Sequence, residues 1–256
     1  MNIKATVAAA AEIRKLVILS AASAGHGNIG DSMSICDMLA VLYTDIMNVE
    51  PVEKPDRDWL VLSKEDCGPA LHAALVYKGF MQREALMALG SDCRLQTSGD
   101  VSMGLQGFSI AAGVALGRRM QCVDNMTYAI LGDSELQEGQ AWEALQFITH
   151  WQLNNLVTII DHNKRQADGY VKDICDPLDL RAKFTAFGLR VLEANGHDVR
   201  EVYMVLTKAR LSPAPAAVIL HTEKGYGCSF GDAGAVTPRM AVNAIAEIDA
   251  GLEKRI

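Results

Sequence analysis

Met126-Thr127-Tyr128-Ala129-Ile130-Leu131-Gly132-Asp133-Ser134-Glu135 and, further on, Leu156-Val157-Thr158-Ile159-Ile160-Asp161-His162-Asn163 are the two stretches that decide the fold. Each is a short apolar run that stops abruptly at a polar turn, the pattern of a strand buried on both faces. Residues 138–150 between them read as a helix, which makes one strand–helix–strand unit. Outward from it, 59–63, 189–193 and 216–221 read as further strands. Helices are expected over 3–23, 32–47, 68–80, 82–89, 106–119, 177–186, 198–211 and 238–254. Strands alternating with helices give an α/β fold, a parallel central sheet with helices on both faces. In such sheets ligands bind outside the carboxyl ends of the strands. The turns after Leu131, Ile160 and His221 are therefore where chemistry is expected.

Asp133 and Asn163 stand thirty residues apart, one strand–helix–strand unit, so both side chains can reach the same sheet edge. One carboxylate and one amide oxygen suit a hard cation such as Mg²⁺, which keeps water and phosphate oxygens as its other ligands. Backbone N–H groups opening the helix after Gly132 are unpaired donors at a positive dipole end. A Mg²⁺-bridged diphosphate fits this arrangement. Read singly, each turn is also an ordinary helix-capping turn, because Asp, Asn and Ser are favoured there for local reasons. The pair at that spacing, each member after a strand, is the stronger signal.

Composition narrows the classes. Of 256 residues, 50% are apolar and 21% charged, which excludes a disordered chain. A net charge of −7 and an isoelectric point near 5.4 argue against a nucleic-acid partner. No run reaches the roughly 18 uncharged apolar residues that a membrane span needs. Glu12, Arg14 and Lys15 interrupt the apolar N-terminus, which reads as an amphipathic helix and not as a signal peptide. The six cysteines form no C-x-x-C pair, which argues against a zinc knuckle or a disulfide framework. A reduced, cytoplasmic protein is expected. No linker divides the chain, so 1–256 is read as a single domain. No G-x-G-x-x-G or G-x-x-x-x-G-K-[ST] points to a nucleotide site.

Gly132-Asp133-Ser134 followed by Asn163 resembles the thiamin diphosphate motif, and residues 132–144 resemble the GDGELQEGQxWEA stretch of transketolases. Five further ordered segments extend the likeness over nearly the whole chain: residues 56–64, 106–116, 184–188, 196–198 and 222–227. The resemblance implies the thiamin diphosphate-binding fold in its diphosphate-binding form. It also implies Mg²⁺ held by Asp133, Asn163 and the Arg165 carbonyl. Gly132 and Ser134 would lie against the diphosphate, with Ser134 in place of the usual Gly, a change that fits if φ stays negative. Gly104 and Leu105 stand where the family has its own cofactor-contacting segment. Lys224 is either a phosphate contact or a solvated surface charge.

The family's active-site histidines are largely replaced. Asn28 stands for one and Asp66 for another, and His26 either compensates or is an ordinary loop histidine. His197 matches the family's GHD, with a structural role in the turn at least as plausible as substrate contact. An Asn or Asp cannot shuttle protons near neutral pH as an imidazole does. The catalytic residues of this chain are thus unassigned, with His26, Asn28, Asp66 and His197 as candidates. In the family a catalytic glutamate comes from the pyrimidine-binding region. The resemblance therefore implies a second subunit carrying the pyrimidine-binding and C-terminal transketolase regions, in a two-plus-two heterotetramer, the single chain being inactive. The implied reaction moves a two-carbon ketol unit from a ketose-type donor to an aldehyde acceptor, with an atypical substrate. Alternatives are the thiamin-binding subunit of a 2-oxo acid dehydrogenase or decarboxylase, or a non-catalytic scaffold.

Overall fold

The computed structural model describes residues 1–25, 29–52, 54–89, 101–103, 106–231 and 235–255, with the backbone alone for residues 65, 89 and 101–103. Helix α1 (Ile3–Ala24) opens the chain, capped by the Asn2 side chain, which accepts from the Ala5 N–H at 3.2 Å. Then come α2 (Gly30–Ser34), α3 (Cys36–Val41) and a π-helical turn, Leu42–Ile46. Strand β1 (Trp59–Leu62) leads through a 3₁₀ turn, Glu65–Cys67, to α4 (Gly68–Lys78) and α5 (Arg83–Leu89). After β2 (Val101–Met103) and α6 (Gly107–Met120), β3 (Thr127–Gly132) passes through a second 3₁₀ turn, Glu135–Gln137, into α7 (Gly139–His150). Strand β4 (Leu156–His162) is followed by a small hairpin, β5 (Arg165–Gln166) with β6 (Gly169–Tyr170), then α8 (Val171–Ile174) and α9 (Leu180–Ala186). The chain finishes with β7 (Arg190–Asn195), α10 (Val199–Arg210), β8 (Ala216–His221) and α11 (Pro238–Arg255).

Among the described residues six strands form one parallel sheet in the order β2-β1-β3-β4-β8-β7. Alternate residues face opposite layers, as the two-residue period of a strand demands. Leu60, Tyr128, Ile130, Val157, Ile159 and Val218 pack towards α1, α3, α4, α10 and α11. Val61, Ala129, Leu131, Ile160, Ala217 and Ile219 pack towards α6, α7 and α9. Both faces are apolar, which is why these strands read as continuous apolar runs. After β1 the chain runs to the edge strand β2 and returns to lay β3 on the other side of β1. In open α/β sheets ligands bind at the carboxyl ends of the strands near such a reversal.

The expected helix over 32–47 is two short helices and a π turn, because Ile35, at φ −100° and ψ 1°, breaks the ladder between α2 and α3. Several short elements, α8 among them, had no sequence signal. Strand β2 is three residues long and sits beside a Gly/Ser/Thr-rich loop, and the β5–β6 hairpin has only two residues per strand. None of these is long enough to show a period.

His72, on α4, is fully buried, and neither ring nitrogen finds a hydrogen-bond partner among the described residues. Burial pushes its pKa down to about 4. The unfolded chain therefore binds this proton at higher pH than the folded one. The stability present above about pH 6.5 is lost as pH falls towards 4. Between pH 7 and pH 5 this histidine accounts for a loss of about 2 kcal/mol. Urea denaturation of His72→Leu at the two pH values should show that part of the slope gone. An unchanged slope would contradict the assignment.

Candidate active site

The carboxyl ends of β1, β4 and β8 carry charged residues into the interior. Lys64 follows β1, and its Nζ lies 2.7 Å from an Asp161 oxygen and 2.9 Å from one of Asp31. Asp161, fully buried near the end of β4, also accepts from the Ser34 hydroxyl at 2.7 Å and the Asn163 amide at 3.2 Å. Its other oxygen accepts from the Thr222 hydroxyl at 2.5 Å. Lys224, just beyond β8, pairs with Asp31 at 2.9 Å. Burial works to raise the Asp31 carboxyl, but the Lys64 and Lys224 ammoniums outweigh it and hold it below the usual range. Lys224 is thus not a solvated surface charge, for its side chain is only 8% exposed. The loop carrying it is clamped to α2, with the Gly225 N–H donating to the Gly30 carbonyl at 2.9 Å. Gly225 sits at φ +79°, and a Cβ there would lie 2.6 Å from the Gly231 Cα, so only glycine serves.

Asp133 and the turn after β4 meet as their spacing requires. Gly132 pairs with Asp161 in the β3–β4 register, which brings the two turns alongside. Asp133, 2% exposed, accepts from the Lys164 N–H at 2.6 Å, and its other oxygen lies 2.5 Å from His162 Nδ1. The Asn163 amide oxygen accepts from the Arg165 N–H at 2.9 Å. Ser134 takes φ −68°, within the range an L-residue adopts freely, and donates to Glu135 at 3.1 Å. The Gly132 N–H donates to Glu135 at 2.5 Å, so that amide is already engaged. Burial raises the Glu135 carboxyl.

This edge opens on a cleft of about 710 Å³ whose walls run from His162 to Leu178 and from His221 to Lys224. Lys164, Arg165, Lys172 and Lys224 outnumber Asp176 and Glu223 along it, which suits an anionic occupant. The Arg165 guanidinium lies 4.4 Å from the centre of the Tyr170 ring. Among the described residues no three His, Cys, Asp or Glu side chains converge on a metal position. A cation here would rest on a carboxylate, an amide oxygen and a backbone carbonyl, a hard oxygen set that suits Mg²⁺.

His197 is held on both ring nitrogens. Nε2 accepts from the Glu223 N–H at 2.8 Å, which leaves the proton of the neutral ring on Nδ1, 3.1 Å from Asp37. The ring stacks on Tyr226, with centroids 3.6 Å apart. Asp37 is fully buried and also pairs with Arg14 and, at 3.0 Å, with Arg255 of the last helix. Burial alone would raise its carboxyl, but Arg14, His197 and Arg255 hold it well below the carboxylate range. The cluster ties α1, α3 and α11 to the loop that carries Lys224.

A family model described as "Transketolase, thiamine diphosphate binding domain" matches residues 5–237. The 6-deoxy-6-sulfo-D-fructose transketolase subunit SqwG of Clostridium sp. is 40% identical over 86% of this chain and 85% of that subunit. The chain belongs to the transketolase family. An apulose-4-phosphate transketolase subunit of Phocaeicola vulgatus is 33% identical, over 94% of this chain and 92% of that one. The transketolase structure from Leishmania mexicana superposes with a TM-score of 0.85 at 26% identity. It is matched over 97% of this chain but only 41% of its own length. The chain thus spans most of the length of the two subunits and under half of the Leishmania transketolase chain.

Of the expected transketolase site, the structure sets Gly132 beside Asp161 and Asp133 against the Lys164 N–H of the Asn163 turn, and Asn163, Arg165 and Lys224 line one cleft, while Ser134 contacts Glu135. His26, Asn28, Gly104 and Leu105 lie outside the described residues. Asp66 is exposed in the 3₁₀ turn after β1, its carbonyl accepting from the Ser32 hydroxyl at 3.4 Å. Sequence reasoning missed Asp31, Lys64, Asp161 and Glu135. A charged residue at the inner end of an apolar strand was a usable signal for Lys64 and Asp161. Asp31 carried none, since its partners come from two distant strand ends.

Proposed function

We propose that this transketolase subunit is a single diphosphate-binding domain that holds thiamin diphosphate through Mg²⁺. With a second subunit carrying the pyrimidine-binding and C-terminal regions, it moves a two-carbon ketol unit from a ketose-type donor to an aldehyde acceptor. The observation that carries this reading is the meeting of Asp133 with the Asn163 turn at neighbouring strand ends, beside a cationic cleft. Asp133, Asn163 and the Arg165 carbonyl would hold the metal, and Lys224 would face the diphosphate. The bound cofactor supplies the carbanion and the electron sink, while the protein supplies position and electrostatics.

The chain's own residues fix that position. Lys164 and Arg165 backbone N–H groups orient the Asp133 and Asn163 oxygens. His162, paired with Asp133, keeps a second contact on the same carboxylate. His197 anchors the Lys224 loop through the Glu223 N–H and is read as a positioning residue, not a proton carrier. His26, Asn28 and Asp66 remain candidates for substrate contact.

The substrate is proposed to be a sugar bearing an acidic group and outside the common sugar phosphates. Two relatives are named for such substrates, one with a sulfonate and one with a phosphate. The excess of cations along the cleft supports the same class. Both relatives are named as subunits, which supports a partner chain, and a two-plus-two assembly is proposed with it. Among the described residues no helix is long and apolar enough to cross a membrane, and a cytoplasmic setting is proposed. Steady-state assays of the reconstituted pair with acidic ketose donors and with pyruvate test the reaction class. Ketol transfer from the ketoses is expected. Turnover of pyruvate instead would move the protein to the 2-oxo acid enzymes.

A further inference from the structure

Asp31, 5% exposed, stands on the short helix α2. One carboxylate oxygen is 2.9 Å from Lys64 Nζ and the other 2.9 Å from Lys224 Nζ. These two lysines follow different strands, β1 and β8. They differ in what else holds their charge, for Lys64 also pairs with Asp161 at 2.7 Å whereas the ion pair of Lys224 is with Asp31. Lys224 lines the cleft; Asp31 does not.

We propose that Asp31 is the internal counter-ion of this site, a positioning residue whose charge sets how tightly Lys224 and the cleft take a phosphoryl anion. The inference rests on the reading of this edge as a diphosphate site. Within about 5 Å of Lys224 a carboxylate offsets much of the attraction that the ammonium offers to an incoming anion. Neutralising Asp31 leaves Lys64 balanced by Asp161 and releases one positive charge at Lys224. The placement of Lys224 does not depend on that ion pair alone. Its aliphatic stem packs over Gly30, where a Cβ would sit 3.0 Å from Lys224 Cγ and Cε. The backbone beside it is tied to Gly30 through Gly225. Loss of the carboxylate therefore changes charge more than position, and a neutral residue at 31 should tighten anion binding.

Calorimetry of the purified full chain with inorganic pyrophosphate and MgCl₂ tests this. Asp31→Asn should bind about tenfold tighter than the unaltered chain, given solvent screening at the cleft mouth. Asp31→Glu should restore the original affinity, and in a Lys224→Met background Asp31→Asn should change affinity by less than about threefold. Asp31→Ser serves as the second neutral variant if Asp31→Asn does not fold. Weaker or unchanged binding in a folded neutral variant overturns the proposal. Asp133→Ala in the same series separates the two claims. Undiminished Mg²⁺-dependent binding in that variant overturns the site reading, and the Asp31 proposal with it.

Discussion

Replacing Asp133 with alanine is expected to lower Mg²⁺-dependent affinity for thiamin diphosphate by more than about 100-fold. The carboxylate is the one anionic donor in the proposed ligand set. Asn163 and the Arg165 carbonyl offer only neutral oxygens, too weak to hold Mg²⁺ against its water shell. The change also strips the Lys164 N–H and His162 of their acceptor. A folding cost of about 1–3 kcal/mol accompanies that loss. Binding and stability are separable by pairing calorimetry with a thermal melt. A folded variant that binds the cofactor with Mg²⁺ as tightly as the unaltered chain contradicts the assignment.

Asp37→Ala should produce the largest loss of stability. Asp37 is fully buried and serves Arg14, Arg255 and His197 together. Arg14, 3% exposed at its side chain, would be left as an uncompensated buried charge. Removing one partner of such a cluster costs about 3–5 kcal/mol. For a chain of this size that corresponds to a fall in melting temperature of about 10 °C. The variant should also bind pyrophosphate more weakly, because His197 no longer holds the Lys224 loop against Tyr226 and α3. Adding Arg14→Met should recover part of the lost stability, since the stranded charge goes with it. A melting temperature within about 2 °C of the original would show that the cluster contributes little.

The main strands of the sheet were legible because both of its faces are apolar. Val157, Ile159 and Ile160 give a run that stops at Asp161, and β4 extends only two residues beyond the expected 156–160. The metal pair was legible because one strand–helix–strand unit fixes where its two ends fall. The charge network was not. Asp31, Lys64, Asp161 and Lys224 are spread over nearly 200 positions and meet only through the strand order, which no local period encodes. His197 was half legible. Its place in a turn before a helix was readable, but its clamp on Asp37 and Glu223 depends on α3 and the β8 loop arriving from far away. Asp198 beside it, capping α10 by accepting from the Arg200 N–H at 2.8 Å, accounts for the acid of that motif by a purely local rule.

If this chain supplies the cofactor-diphosphate half of a two-subunit transketolase, catalysis has an absolute requirement for a second subunit. The most direct test is ketol transfer measured with thiamin diphosphate and Mg²⁺, first with the purified chain alone and then with a second subunit carrying the pyrimidine-binding and C-terminal regions. No turnover by the single chain, and turnover of an acidic ketose on mixing, is the predicted result. Full turnover by the single chain, or none by the mixture despite saturated cofactor binding, would contradict it.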